Sequence, residues 1–127
     1  MDTILIIDDD SAFRKTTSAL LRGQGFSCYE AENGIWALDW LKDHQVHLII
    51  TDLDMPGPGG FSFLQKLHQQ FNQQPPPVII ISGHITHQER EYAKNGWAGA
   101  ILNKPFKLEE LVATANRLIQ ERRALEE

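Results

Sequence analysis

Apolar residues in this chain gather in short runs, separated by stretches in which they recur every three or four positions. The runs fall at 4–7, 48–50, 78–81 and 100–102. The first and third are unbroken and rich in isoleucine. Strands covered on both faces of a parallel sheet have this pattern. Residues 26–31 alternate instead, which suits an edge strand. Between the runs lie helical patterns. Residues 12–22 carry Phe13, Thr17, Leu20 and Leu21 at helical spacing, with Ser11 or Asp10 as N-cap. Residues 35–41 follow the turn signal Asn33-Gly34, and 61–67 follow the Pro/Gly-rich stretch 55–60. Residues 86–94 stop at Asn95-Gly96. Leu108, Leu111, Val112, Ala115, Leu118 and Ile119 form a last apolar stripe. Strand and helix thus alternate five times, which predicts an α/β fold with helices on both faces of a parallel sheet. The segment 73–77 (QQPPP) reads as a stiff surface connector.

Composition narrows the classes of function. The 127 residues, 42% of them hydrophobic, suffice for one domain with its own core. A net charge of -5 with no basic run argues against direct nucleic-acid binding and against an anionic membrane surface. The single cysteine, Cys28, allows neither an internal disulfide nor a zinc site, and a cytoplasmic setting is the expectation. No apolar run is long enough to span a bilayer, and residues 1–8 acquire charge too early for a signal peptide.

The chemistry should lie at the carboxyl ends of the strands, where open α/β sheets bind their ligands. The first strand ends in Asp8, Asp9 and Asp10, and the third in Thr51-Asp52. The fourth ends in Ser82-Gly83-His84, and the fifth in Asn103-Lys104-Pro105. If the first and third strands are neighbours, several carboxylates converge. Two unit charges 4 Å apart repel by about 4 kcal/mol at an effective dielectric of about 20. A divalent cation, Lys104 or protonation must offset that. An all-oxygen donor set favours a hard cation such as Mg²⁺. A cation beside a carboxylate, a lysine and a hydroxyl is apparatus for phosphoryl transfer, with an Asp carboxylate as a competent nucleophile.

The segments ILIIDDDS, LIITDLDMPGPGG, VIIISGH and ILNKPF, in this order and spacing, resemble the four motif regions of response-regulator receiver domains. The resemblance implies a flavodoxin-like, doubly wound sheet of five parallel strands in the order 2-1-3-4-5. It implies that Asp52 accepts the phosphoryl group and that Asp8 and Asp9 are the acidic pair holding Mg²⁺. The Asp54 carbonyl would complete the metal site, Ser82 would be the switch hydroxyl, and Lys104 would pair with the phosphoryl group across a cis Lys104-Pro105 peptide. His84 and Asp54 fall where receivers tune the lifetime of the phosphorylated state. The combination of SGH and KPF is similar to regulators that join a receiver to an ATPase and a DNA-binding domain. The implied partners are a sensor histidine kinase or phosphotransfer protein, and a second copy through the face of the fourth helix, fifth strand and fifth helix, or through the C-terminal helix. Residues 1–121 would form the receiver and 122–127 a helical extension opening a linker. No enzyme activity is implied beyond self-catalysed phosphotransfer and dephosphorylation.

Three positions depart from the pattern. Gly59 replaces a second loop aspartate. Ile101 stands where many receivers carry the rotating switch aromatic, and Trp97 where glycine is usual; packing in the core or at its rim is the expectation for Trp97. His84 and His87 lie three apart but lack a third ligand, so a metal site there is not expected. Leu111, Leu118 and Leu125 recur every seven residues, and Leu125 lies among charges. Three rivals remain. Asp52-Leu53-Asp54 resembles the DxD of aspartate-nucleophile phosphatases, although there the motif follows the first core strand. A flavodoxin-like module that binds a flavin or nucleotide would share the sheet order, but DDDS would repel its phosphate. A flavodoxin-like binding module of receiver type that works without phosphorylation is opposed by the intact set Asp8, Asp9, Asp52, Ser82 and Lys104.

Overall fold

The computed structural model describes residues 1–53 and 60–126. Five strands and five helices alternate: β1 (Thr3–Ile7), α1 (Ser11–Gly23), β2 (Ser27–Ala31), α2 (Gly34–Trp40), β3 (Leu48–Asp52), α3 (Gly60–Gln70), β4 (Val78–Ser82), α4 (His87–Lys94), β5 (Ala100–Asn103) and α5 (Leu108–Glu126). The strands form one parallel sheet in the order β2-β1-β3-β4-β5. The alternation predicts a parallel α/β sheet, and the resemblance implies this flavodoxin-like strand order.

The isoleucine-rich runs are explained by burial on both faces. Ile4, Ile6, Ile50, Ile79 and Ile81 pack with Leu21 of α1 and with Leu111, Ala115 and Leu118 of α5. Their neighbours Leu5, Ile7, Ile49 and Ile80 point the other way, onto Ala37 of α2 and Phe63, Leu64 and Leu67 of α3. Strand side chains alternate in direction, so a strand with no polar residue needs two apolar layers to cover it. β2 and β5 are the two edge strands; on β2 Tyr29 is exposed, and the Cys28 carbonyl accepts from Arg22 Nη2 at 2.8 Å.

Local signals account for the helix ends. Asp10, not Ser11, is the N-cap of α1 and accepts from the backbone N–H groups of Ala12 and Phe13. Asn33 caps α2 in the same way, through Trp36 N. Thr86 caps α4 in a capping box with Glu89. Gly96, at φ +84°, leads the chain out of α4 through the left-handed region that glycine tolerates. Trp97 is half-buried between Phe61 and His68, with ring centroids 4.9 and 4.8 Å away. α5 runs unbroken to Glu126. Its Leu111 and Leu118 are in the core while Leu125 faces solvent. Arg122 near its end holds the carbonyls of Gln74 and Pro75, pinning the proline-rich connector. Among the described residues, no helix is long and apolar enough to cross a membrane.

Candidate functional site

Register brings the strand ends together. Ile7 pairs with Thr51, Asp52 with Ile81, and Ser82 with Asn103. Asp8 continues β1 by one residue, its N–H donating to Ala31 O at 3.1 Å. Its side chain is turned inward and almost fully buried. One carboxyl oxygen accepts from Asp10 N at 2.9 Å, and the other meets Lys104 Nζ at 3.3 Å. The same ammonium lies 3.1 Å from Asp52 Oδ2. Lys104 therefore bridges the ends of β1 and β3 from its place just beyond β5. Its backbone N–H donates to Ser82 O at 2.7 Å, and its Nζ sits 4.2 Å from the centroid of the Phe13 ring. Phe13 in turn meets Phe106 edge-on. The Lys104-Pro105 peptide is cis, as the resemblance implied.

Electrostatics at this cluster are unbalanced. Burial pushes the Asp8 carboxyl above the usual carboxylate range and Asp52 adds to the rise, although the Asp10 N–H and Lys104 pull against them. Burial works to lower Lys104, but the bond and charge of Asp52, and then of Asp8, outweigh it and leave the ammonium above its ordinary value. One ammonium serving two carboxyl groups leaves the pair short of positive charge. A hard cation among oxygen ligands would supply it.

The predicted residues are only partly gathered. Asp8, Asp52 and Lys104 form one cluster. Asp9 is exposed beside it, and Asp10 is spent on capping α1. Among the described residues, no three acidic, histidine or cysteine side chains stand close enough together to hold a metal. Asp54 and the loop 55–59 lie outside the described residues. Ser82 is fully buried, and its hydrogen bonds run to the loop and α4: Oγ lies 2.8 Å from His84 O, 3.2 Å from His84 N and 3.2 Å from Glu89 Oε1. His84 engages Ser82 through its backbone, and the residue is exposed. Ile101 is half-buried against the α3 side of the core.

Three residues at the site were not singled out for it from sequence. Arg14 donates to the Asp8 carbonyl at 2.6 Å and pairs with Glu30 at 3.3 Å, bracing the end of β1. Phe13 counted only as a core residue. Glu89 was legible as the third position after Thr86 in a capping box, but nothing in its spacing points to Ser82.

A doubly wound parallel sheet with an aspartate at the end of its central strand, met by an acidic turn and a lysine, defines a receiver-type domain. The chain belongs to the response regulator receiver domain family, whose model matches residues 4–116. It is 32% identical over 123 residues to Response regulator Rre1 of Synechocystis sp., covering 96% of this chain and 53% of that protein. It is 34% identical over 114 residues to the DNA-binding transcriptional regulator NtrC of Klebsiella pneumoniae, covering 90% of this chain and 24% of that one. The chain thus spans about half or less of the length of these curated relatives. Among solved structures it resembles chemotaxis protein CheY4 of Vibrio cholerae, with a TM-score of 0.85 at 27% identity, covering 93% of this chain and 98% of that one. A receiver domain protein from Clostridium thermocellum aligns with a TM-score of 0.88 at 25% identity, covering 98% and 99%.

Proposed function

We propose that this receiver accepts a phosphoryl group on the Asp52 carboxylate from a sensor histidine kinase or phosphotransfer protein, and that the modification switches the surface around α4 and β5. The observation that carries the reading is the Lys104 ammonium shared between Asp8 and Asp52. Asp52 is half-buried at the end of β3, open enough for its carboxylate to attack a donor and close enough to Lys104 for its modification to be felt. In the transfer, an Asp52 oxygen forms a bond to phosphorus as the bond to the donor imidazole nitrogen breaks. Lys104 neutralises the charge that then sits where a carboxylate stood. Mg²⁺ fits the charge shortfall. It would be held by Asp9, Asp52 and the Asp54 carbonyl, with Asp8 acting mainly through water, and it supplies countercharge to the phosphoryl oxygens. Ser82 turns its hydroxyl to the new acceptor, while His84 and Asp54 set how long the acyl phosphate lasts. No other substrate is turned over; transfer and hydrolysis are the domain's own. A cytoplasmic setting accompanies this role.

Incubation with acetyl phosphate and Mg²⁺, followed by intact-mass measurement, tests the reading. One phosphoryl group is expected on the wild type and none on Asp52→Asn. An unmodified wild type, or an equally modified variant, refutes it.

A further inference from the structure

We propose that Glu89 is the positioning residue of this switch: its carboxyl group holds the Ser82 hydroxyl in the resting state and, through the same oxygen, ties that hydroxyl to the N-terminus of α4. The inference rests on the phosphoacceptor reading for its trigger but not for the resting contact.

Glu89 is only 5% exposed. Glutamate is seldom so buried unless paired. Its Oε1 accepts twice, from Ser82 Oγ at 3.2 Å and from the Thr86 backbone N–H at 3.0 Å. Thr86 Oγ1 accepts in return from Glu89 N at 3.0 Å, closing the capping box. Oε2 is buried with no hydrogen-bond partner among the described residues. Capping alone does not call for this placement, because a glutamate in the first turn of a helix can reach back to the cap from the surface. An unmet buried acceptor is costly. What the inward position adds is the bond to Ser82.

The Ser82 hydroxyl has one proton to give. In the resting protein, two acceptors share its reach: the His84 carbonyl and Glu89 Oε1. Ser82 directly follows Ile81, the register partner of Asp52, so a phosphoryl group on Asp52 brings a third acceptor to the same strand ends. That acceptor brings three oxygens and more negative charge than a single carboxylate, whereas the His84 carbonyl is neutral and Glu89 Oε1 is already shared with Thr86 N–H. When the proton goes there, Glu89 Oε1 loses one of its two donors, while Oε2 has none among the described residues. The carboxyl group must then be resatisfied by movement, and among the described residues the other group it holds is the Thr86 N–H at the cap of α4. This route from Asp52 to α4 bypasses residue 101. It gives the domain a polar relay where Ile101 offers no aromatic one.

The test uses the whole chain and beryllofluoride with Mg²⁺ as the phosphoryl mimic. Glu89→Gln keeps the size of the side chain and an acceptor for Thr86 N–H, but weakens the hold on the hydroxyl. It should tighten apparent beryllofluoride binding by roughly three- to tenfold, because less resting state has to be overcome. In a Ser82→Ala background the same substitution should change nothing. An equal effect in both backgrounds, or none in either, overturns the proposal, since it would assign Glu89 to capping alone. A second readout needs no phosphoryl mimic. In the resting protein, Ser82→Ala should shift the Glu89 side-chain carboxyl ¹³C resonance, and Glu89→Gln should change the Ser82 χ1 populations. If both stay unmoved, the latch does not exist. A wild type that shows the resting coupling but binds no beryllofluoride overturns the phosphoacceptor reading and leaves the Ser82–Glu89 contact standing.

Discussion

Asp8 gives the sharpest test of the site's energetics. Asp8→Asn keeps the side chain's shape, its acceptor for Asp10 N–H and an oxygen for Lys104, and removes one charge. At an effective dielectric of about 20, Lys104 at 3.3 Å attracts a charged Asp8 by about 5 kcal/mol. Asp52 shares that ammonium at 3.1 Å, so its oxygen lies no further than about 6.4 Å from that of Asp8 and repels a charged Asp8 by roughly 3 kcal/mol. Against the small remainder stands the burial of a carboxylate whose side chain is 2% exposed, a penalty of about several kcal/mol per ion. The raised pKa gives the sign: burial outweighs the attraction, and folding favours the neutral form more than the unfolded chain does. The charge on Asp8 therefore costs stability above its folded pKa. The cost fades as the pH falls through that value towards the ordinary carboxylate range. In EDTA at pH 7, Asp8→Asn should be more stable than wild type by about 1 kcal/mol, a rise in Tm of about 3–6 °C for a chain of this size. The gap should close on acidification. Thermal and urea melts of both proteins between neutral and mildly acidic pH measure it. Adding Mg²⁺ should stabilise the wild type more than the variant. A variant less stable than wild type at pH 7, or a gap independent of pH, refutes the reasoning.

Lys104→Met removes the cation shared by two carboxyl groups and should cost about 1–3 kcal/mol at neutral pH in urea denaturation. Because the folded pKa of Lys104 lies above its unfolded value, its contribution is complete below the ordinary lysine pKa and is lost as the pH rises through the folded value; the alkaline decline of stability should therefore be shallower in Lys104→Met than in wild type. Gly34→Ala, ordinarily a gain in a helix, should destabilise by about 1–3 kcal/mol, because the new Cβ would stand 2.7 Å from Cδ1 of the buried Phe63; a stabilised variant in chemical denaturation would show that Phe63 yields. Leu64→Ala empties a fully buried position between α3 and the sheet and should cost about 2–5 kcal/mol by the same assay.

The fold was legible because burial on both faces leaves a plain signature: Ile4–Ile7 and Val78–Ile81 can be nothing but inner strands if each needs two covering layers. The strand order was not in that pattern. It came from the resemblance, and the register confirms it. Asp8, Asp52 and Lys104 could be placed together because strand ends converge whatever the side chains do. Side-chain direction was harder to read. Nothing in DDDS tells which aspartate turns inward; the answer depends on Asp10 being taken by the cap and on Arg14 holding the Asp8 carbonyl. Likewise Ser82 and Glu89 meet because one turn of α4 folds back over the end of β4, a geometry that periodicity does not encode. The stack of Trp36, Trp40 and His44 along and beyond α2, with Tyr29 against Trp40, also escaped notice, because exposed aromatics at helical spacing read as core.

The Lys104 bridge has a consequence in time. Its two partners lie 96 and 52 positions earlier in the chain. Contacts of such long range form only after the intervening loops are closed, and parallel crossovers make that closure slow. During synthesis, which runs from the N-terminus, Asp8 and Asp52 emerge well before the lysine that bridges them. A nascent or half-folded receiver therefore presents an aspartate without its countercharge. The charge arrangement of the site arrives with the residues that follow the last strand, so an unfinished domain holds the two carboxyl groups without the ammonium that bridges them.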